Sequence, residues 1–447
     1  METAVAAAAL HDDVLADVLR RLPARSLAAS RCVCKAWRAI VDDRRLLAPH
    51  LLPQAVRGFF VNYQDHRTPH FFERPAAAPT DGGRRILIDG RFDFIEHGIW
   101  YRRSLVVDHC DGLVLYWDVE HGSFYVCNPV TRWWERLPRC TGGYDWRWNR
   151  DTFLLFDPAV SKHYRVLMIC REPAVKEEDD ARRSMEWPPS RWRCHELSSR
   201  TGRWQEKVFV REGEAAGTVS DLLMDSLSYC MEPRWRFAAY WQEALYVHCH
   251  GEYVARMSLS DSTYRVIKSP IDRAECYNDV KSFLGRSEKG VYFAAIYRRQ
   301  LRVWILNEAL DQTEWILKHD RVLKPDDWWA VVGRGDYFQI KLDGPWVLDE
   351  NEKSKTRDDV EWSSDDDDII QTGDWNENTN EGYMYPDTFH VLGFHPYKEV
   401  VFLTTLSLAV AYHLNSSKVQ FLGILSPKDH NYGVTDSFVY TPCLRNA

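Results

Sequence analysis

His248-Cys249-His250 is the densest set of potential metal ligands in the chain. In a strand, His248 and His250 share one face while Cys249 faces the other. A zinc site needs about four converging ligands. No second cluster of suitable spacing is present, so no metal centre is expected. Catalytic signatures are missing as well. There is no G-x-x-x-x-G-K-[ST] phosphate loop, no G-x-S-x-G elbow and no H-E-x-x-H helix. Gly333-Arg334-Gly335 is too short for a dinucleotide fingerprint. Scattered Asp and Glu can always be paired by eye and support no catalytic role. No catalytic residue and no cofactor are expected. Ser363 and Ser364 precede four Asp residues, a context suited to acid-directed kinases, although such a charge run also reads as a plain solvated loop.

Charge points the same way. The 447 residues carry a formal net charge of -8, which gives no global case for nucleic-acid binding. That acidity is local: residues 349–380 hold 12 Asp or Glu against 3 Lys or Arg, so the rest of the chain is about neutral. So acidic and poorly hydrophobic a segment cannot offset its ordering entropy, and it reads as an unstructured insertion. Residues 176–189, mixing charge with proline, read as a second loop. There are 11 Cys, an odd number with no regular framework, and no apolar run long enough to span a membrane. The expectation is a soluble protein with free thiols in a reducing compartment, the cytoplasm or the nucleus.

The elements that would position any binding residues fall into two groups. Leu10, Val14, Leu15, Val18, Leu19 and Leu22 recur at helical spacing and form one apolar face. Asp12 and Asp13 start that helix, where carboxylates meet free N–H groups and the positive end of the dipole. Arg20 and Arg21 sit near its end and Pro23 stops it. Helical spacing resumes with Leu27, Ser30, Cys34, Trp37 and Val41. Helices this short bury little by themselves, so such a unit needs a partner surface.

Over residues 10–52 this pattern closely resembles an F-box. The matching stretches are Leu10-His11-Asp12-Asp13-Val14-Leu15, then Val18 to Leu27, then Arg31-Cys32-Val33-Cys34-Lys35-Ala36-Trp37-Arg38. His11 departs from the family, which usually has proline there. The resemblance implies docking to a Skp-type adaptor, and through it to a cullin and a RING subunit, as in SCF-type ubiquitin ligases. It places Leu10, His11, Val14, Leu15, Val18, Leu19, Leu22, Leu27, Cys34, Trp37 and Arg38 at or behind that interface. Of these, Leu10, Leu15, Leu19, Leu22, Leu27 and Trp37 are expected to be buried, shared between the hook's own core and the adaptor groove. Cys32 and Cys34 read as small buried hydrophobes. Residues 10–50 carry 8 Lys or Arg against 5 Asp, which suits the partly acidic adaptor that the family implies.

The remainder, residues 59–447, reads as strands. Apolar runs such as Gly112 to Trp117, Thr152 to Phe156, Tyr164 to Met168 and Gly290 to Ala294 lie between turn residues. A looser order recurs five times: strands, a polar turn, then a strand opening on an apolar residue, in four of the five an aromatic. Phe124 to Cys127 leads through Asn128-Pro129-Val130-Thr131-Arg132 to Trp133-Trp134, and the pattern returns before Trp204, Tyr264, Trp315 and Val419. This suggests a propeller-like array of small sheets, with Trp134, Trp204, Tyr264 and Trp315 as packing anchors between them. The number of blades stays open, and residues 59–107 could supply a sixth. These turns also resemble the F-box-associated domains of large plant F-box families, which look propeller-like. The expected fold is therefore α+β and multidomain: a small N-terminal helical F-box, then an all-β, propeller-like domain.

Together these readings imply a substrate-recognition subunit that binds an adaptor through the hook and an unidentified target protein through the β domain, with no membrane partner. Two alternatives stand beside it: an adaptor-binding interaction protein that promotes no degradation, and a β domain that binds a glycan or small ligand. Trp146, Trp148, Trp328 and Trp329 lie in connections and are expected to contact the target, unless they fill the core.

Overall fold

The computed structural model describes residues 12–22, 27, 30–44, 46, 56–74, 88–95, 103–140, 151–169, 180–221, 237–249, 252–271, 280–309, 312–323, 345–348, 389–405, 407–427 and 433–443. Among the described residues, the helices α1 (Asp12–Arg20) and α2 (Lys35–Asp43) belong to the N-terminal hook. Their shared core consists of Leu15, Ala16, Leu19, Leu27, Ile40, Val41 and Leu46, with Leu22 and Trp37 packed against it.

Among the described residues the β region forms six blades of a propeller. Blade 2 is the meander β3 (Ser104–Cys110), β4 (Leu113–Asp118), β5 (Ser123–Asn128) and β6 (Trp133–Arg136). Blade 3 is built from β7 (Thr152–Leu155), β8 (Arg165–Ile169), β10 (Arg191–Ser198) and β11 (Arg203–Glu212). Blade 4 is β13 (Ala238–Trp241), β14 (Ala244–Cys249), β15 (Tyr253–Ser258) and β16 (Thr263–Lys268). Blade 5 is β17 (Lys281–Ser287), β18 (Gly290–Tyr297), β19 (Gln300–Ala309) and β20 (Gln312–Val322). Blade 6 is β22 (His390–Phe394), β23 (Val400–Thr405), β24 (Leu408–His413) and β25 (Val419–Ile424). The middle strands β4, β5 and β23 are buried at every position. Stacked blades cover both faces of a sheet, which is why these segments read as continuous apolar runs and do not alternate.

Blade 1 closes the ring and has no local sequence pattern. Its order is β26 (Val434–Tyr440), β1 (Gly58–Tyr63), β2 (His70–Glu73) and β21 (Val347–Leu348). The last strand of the chain thus pairs with the first, from Gly58 opposite Tyr440 to Val61 opposite Ser437. The short outer strand is held by Trp346, which stacks near Phe59 and Phe72 and donates its backbone N–H to Leu422 of blade 6. Gly423 permits that approach, since a Cβ there would lie 2.5 Å from the Trp346 carbonyl.

The recurring aromatics after the turns do stitch blades together. Each lies on the outer strand of its blade and reaches back to the preceding one. Trp204 Nε1 donates to the Pro138 carbonyl at 2.7 Å, and Trp315 Nε1 donates to the Lys268 carbonyl at 2.8 Å. Tyr264 is buried against Trp192, and its hydroxyl donates to the Pro189 carbonyl. Trp134 packs into the cluster that joins blades 1 and 2.

The loop expected over residues 176–189 needs correction, because part of it is ordered. A short helix α3 (Asp180–Arg183) leads to β9 (Glu186–Trp187), which pairs with β12 (Gly217–Thr218). The apolar ring of Trp187 is the reason, as it is buried against Trp192. Nor are all the sheets separate: the outer edges of blades 3 and 4 join, with Val210–Glu212 running parallel to Thr263–Arg265. Residues 349–380, with Ser363 and Ser364, lie outside the described residues.

Candidate functional site

The hook shows where a partner can dock. Leu15 and Leu19 are spaced four apart on α1, as are Val14 and Val18, but the two pairs point in different directions. Leu15 and Leu19 enter the hook's core at 7% and 0% exposure, whereas Val14 and Val18 remain 49% and 50% exposed. The single apolar face expected from periodicity is therefore two faces. Val33, ahead of α2, is 62% exposed, and Trp37 is half-buried. Since the core is already filled by Leu15, Leu19 and Leu27, the apolar side chains left for a partner among the described residues include Val14, Val18, Val33 and the outer part of Trp37. Val33 escapes a reading by helical spacing because it breaks that spacing.

Cys32 and Cys34 are both exposed, against the expectation of burial. Cys34 bonds locally instead. Its Sγ accepts the backbone N–H of Trp37 at 3.5 Å, and its carbonyl accepts that of Arg38 at 3.1 Å. That is the geometry of a residue capping the start of α2. Arg38 is exposed one turn further on. Leu10 and His11 lie outside the described residues.

The propeller encloses a second candidate site. A cavity of about 90 Å³ lies on its axis, lined by residues from the innermost strand region of all six blades. Three of its polar groups come from the end of β3 and the turn after it. Asp111 and Gly112 adopt φ of 42° and 90°, forming the tight hairpin turn into β4. The turn places Asp111 against Arg286 of β17, with which it forms an ion pair. Burial works against the Arg286 charge, but the carboxylate beside it more than offsets this and raises its pKa. Next to this pair, Asp108 accepts the backbone N–H of Leu154 at 2.7 Å and that of His109 at 2.8 Å. Asp108 is half-buried, and the protein around it pushes its pKa up to about 7 despite those two hydrogen bonds. Burial, reinforced by Arg286, pushes His109 down to about 4, so the imidazole is neutral.

Sequence patterns alone do not single out these channel residues. The Asp111-Gly112 pair between two apolar runs is a strong hairpin signal that would have located one of them. The four tryptophans expected to contact the target, Trp146, Trp148, Trp328 and Trp329, lie outside the described residues, as does His250. His248 is buried, 3.5 Å from Glu252. Among the described residues no three His, Cys, Asp or Glu side chains converge on one point. No described helix is long and apolar enough to cross a membrane.

A helical hook with a spare apolar face, joined to a closed propeller, defines a class of binding proteins. The F-box domain family matches residues 9–48, and the family described as F-box protein At3g26010-like, beta-propeller, matches residues 95–332. The second match spans more than half of the chain, and the chain belongs to this family of F-box propeller proteins. An Arabidopsis thaliana chain named as an F-box protein, At3g17490, is 22% identical over 321 residues, covering 68% of this chain and 72% of its own. The F-box/kelch-repeat protein At3g61590 of the same plant is 30% identical over 133 residues, 29% of each chain. The solved structure of YCF48 bound to D1 peptide covers 83% of this chain and 82% of its own at 8% identity. Its TM-score is 0.33, too low to carry an argument. Membership supports a substrate-adaptor role in general, and the F-box domain implies a Skp-type adaptor as partner.

Proposed function

We propose that this protein is the target-recognition subunit of an SCF-type ubiquitin ligase. The hook, residues 10–52, docks a Skp-type adaptor that brings in the cullin and RING subunits. The propeller, residues 59–447, holds a target protein and performs no chemistry. The observation that carries this reading is the division of labour on α1: Leu15 and Leu19 complete the hook's own core, leaving Val14 and Val18 exposed at half their surface. Large apolar side chains gathered on one small unit are most simply explained by a partner that covers them. The closed propeller supplies a rigid frame for target binding, since its ring of blades is locked by the pairing of β26 with β1.

Reconstitution tests the proposal. The full chain, supplied with adaptor, cullin, RING subunit and ubiquitin-charged E2, should direct ubiquitin to a protein that it captures from a plant cell extract. Val14→Asp with Val18→Asp should abolish that transfer and leave target capture unchanged. Transfer that persists in the double variant would refute the proposal. The site of action follows as the cytoplasm or nucleus, readable from a fluorescent fusion.

A further inference from the structure

The axial cavity has an unmatched charge. Its lining brings together Asp108, Asp111, Arg286 and the neutral His109, together with phenylalanines from four different blades. Arg286 is committed to Asp111, so the cation and one of the two carboxylates cancel. Asp108 receives only two backbone N–H groups, and among the described residues no cation acts on it. The bond from Leu154 stitches blade 2 to blade 3 beside the bulge between Val106 and Asp108, and the bond from His109 is local to β3. They leave a further lone pair on each oxygen and the charge itself unanswered. A carboxylate largely surrounded by protein without a counter-ion is costly, and such groups are ordinarily paired.

The walls around it are aromatic. Phe237 and Phe283 lie 4.2 Å apart between ring centroids, Phe394 stands 6.0 Å from Phe283, and Phe438 packs 5.7 Å from His109. Phe237 and Phe438 are half-buried, and Asp108 itself keeps some contact with the water of the channel. Aromatic faces attract cations, most strongly where water is scarce. The cavity's volume of about 90 Å³ matches roughly three waters at ~30 Å³ each, or the charged head of a long side chain.

We propose that the axial channel receives an organic cation, presented as a lysine or arginine side chain of the bound target. The cation's N–H groups bond to the free lone pairs of Asp108 while the phenylalanines of blades 1, 4, 5 and 6 surround its methylenes and charge. This deepens the receptor reading and rests on it: it assigns the target a basic residue at the point that enters the ring.

Titration of the full-length protein with blocked amino acids tests the assignment, read by ligand-observed NMR at pH 8, where Asp108 is ionised. Nα-acetyl-lysine N-methylamide and its arginine counterpart should bind about tenfold tighter than the norleucine compound, which has the same length without the charge. Asp108→Asn should remove that preference, and Phe438→Leu should weaken it about threefold. Equal binding of lysine and norleucine compounds to the wild-type protein, or no binding of either, overturns the proposal even if the Asp108 variant fails to fold. Putrescine binding tenfold tighter than the lysine compound would also overturn it, by assigning the site to a free amine. Failure of the titration with adaptor capture intact removes the cation site alone. Loss of adaptor capture by the wild-type chain would instead remove the receptor reading.

Discussion

The Asn62 side chain is bonded twice to the backbone of Val106: its Nδ2 donates to the Val106 carbonyl at 2.7 Å, and its Oδ1 accepts the Val106 N–H at 3.2 Å. Asn62 belongs to β1 of blade 1 and Val106 to β3 of blade 2, so one amide fastens the closing blade to its neighbour. β3 is the edge strand of its blade, so the Val106 backbone groups that face away from β4 have no strand partner, and Asn62 satisfies both. Asn62→Ala leaves both unpaired in a buried site, which should destabilise the chain by about 2–4 kcal/mol. Asn62→Asp can accept but not donate, and should recover only part of that. Urea unfolding of the three proteins is the check. A loss below about 0.5 kcal/mol for the alanine variant would show that ring closure does not depend on this amide.

The aromatic stitches give a graded prediction. Trp315→Phe keeps much of the ring's packing against Phe293 and removes the hydrogen bond to Lys268. It should cost about 1 kcal/mol, against about 2–3 kcal/mol for Trp315→Ala. Thermal melts of the two variants should fall in that order. Equal losses would mean that the ring packing a phenylalanine keeps contributes nothing and that the indole N–H bond carries the blade contact.

These stitches are also the part of the fold that is legible in the sequence. An aromatic after a polar turn marks the outer strand of a blade, and that signal is local. Blade 1 escapes because its strands lie at 58–63, 70–73, 347–348 and 434–440, and no window contains the pairing. The hook is legible as a family pattern but not in detail. Periodicity shows that Val14, Leu15, Val18 and Leu19 are apolar; which pair faces inward depends on where α2 lies. The axial channel is invisible in the sequence because Asp111 and Arg286 meet only when the ring closes, 175 positions apart.

Asp108 makes stability depend on pH in an unusual direction. Its folded pKa, about 7, lies above the unfolded carboxylate value of 3.8, so between these values the folded state holds the extra proton. The residue's destabilising contribution is thus absent below about pH 4, grows as pH rises, and is complete above about pH 7. After allowance for the water that reaches the channel, its size is about 1–3 kcal/mol. The groups that share the cavity, His109, Cys110, Asp111, Tyr240 and Arg286, are present in both proteins when wild type is compared with Asp108→Asn. The stability difference between the two should therefore shift in favour of the variant from pH 5 to pH 8. A difference that stays constant over this range would place the Asp108 pKa near its ordinary value.

The division of α1 into an inward and an outward face is the centre of this account, and adaptor affinity measures it directly. Val14→Asp with Val18→Asp, in the full-length chain, changes only exposed positions and should leave the melting temperature within about 2 °C of wild type. The same pair should weaken binding of a purified Skp-type adaptor at least tenfold, about 1.4 kcal/mol, in a calorimetric titration. Asp108→Asn, in the propeller, should bind the adaptor like wild type. A folded Val14/Val18 double variant that binds the adaptor with wild-type affinity would contradict the account.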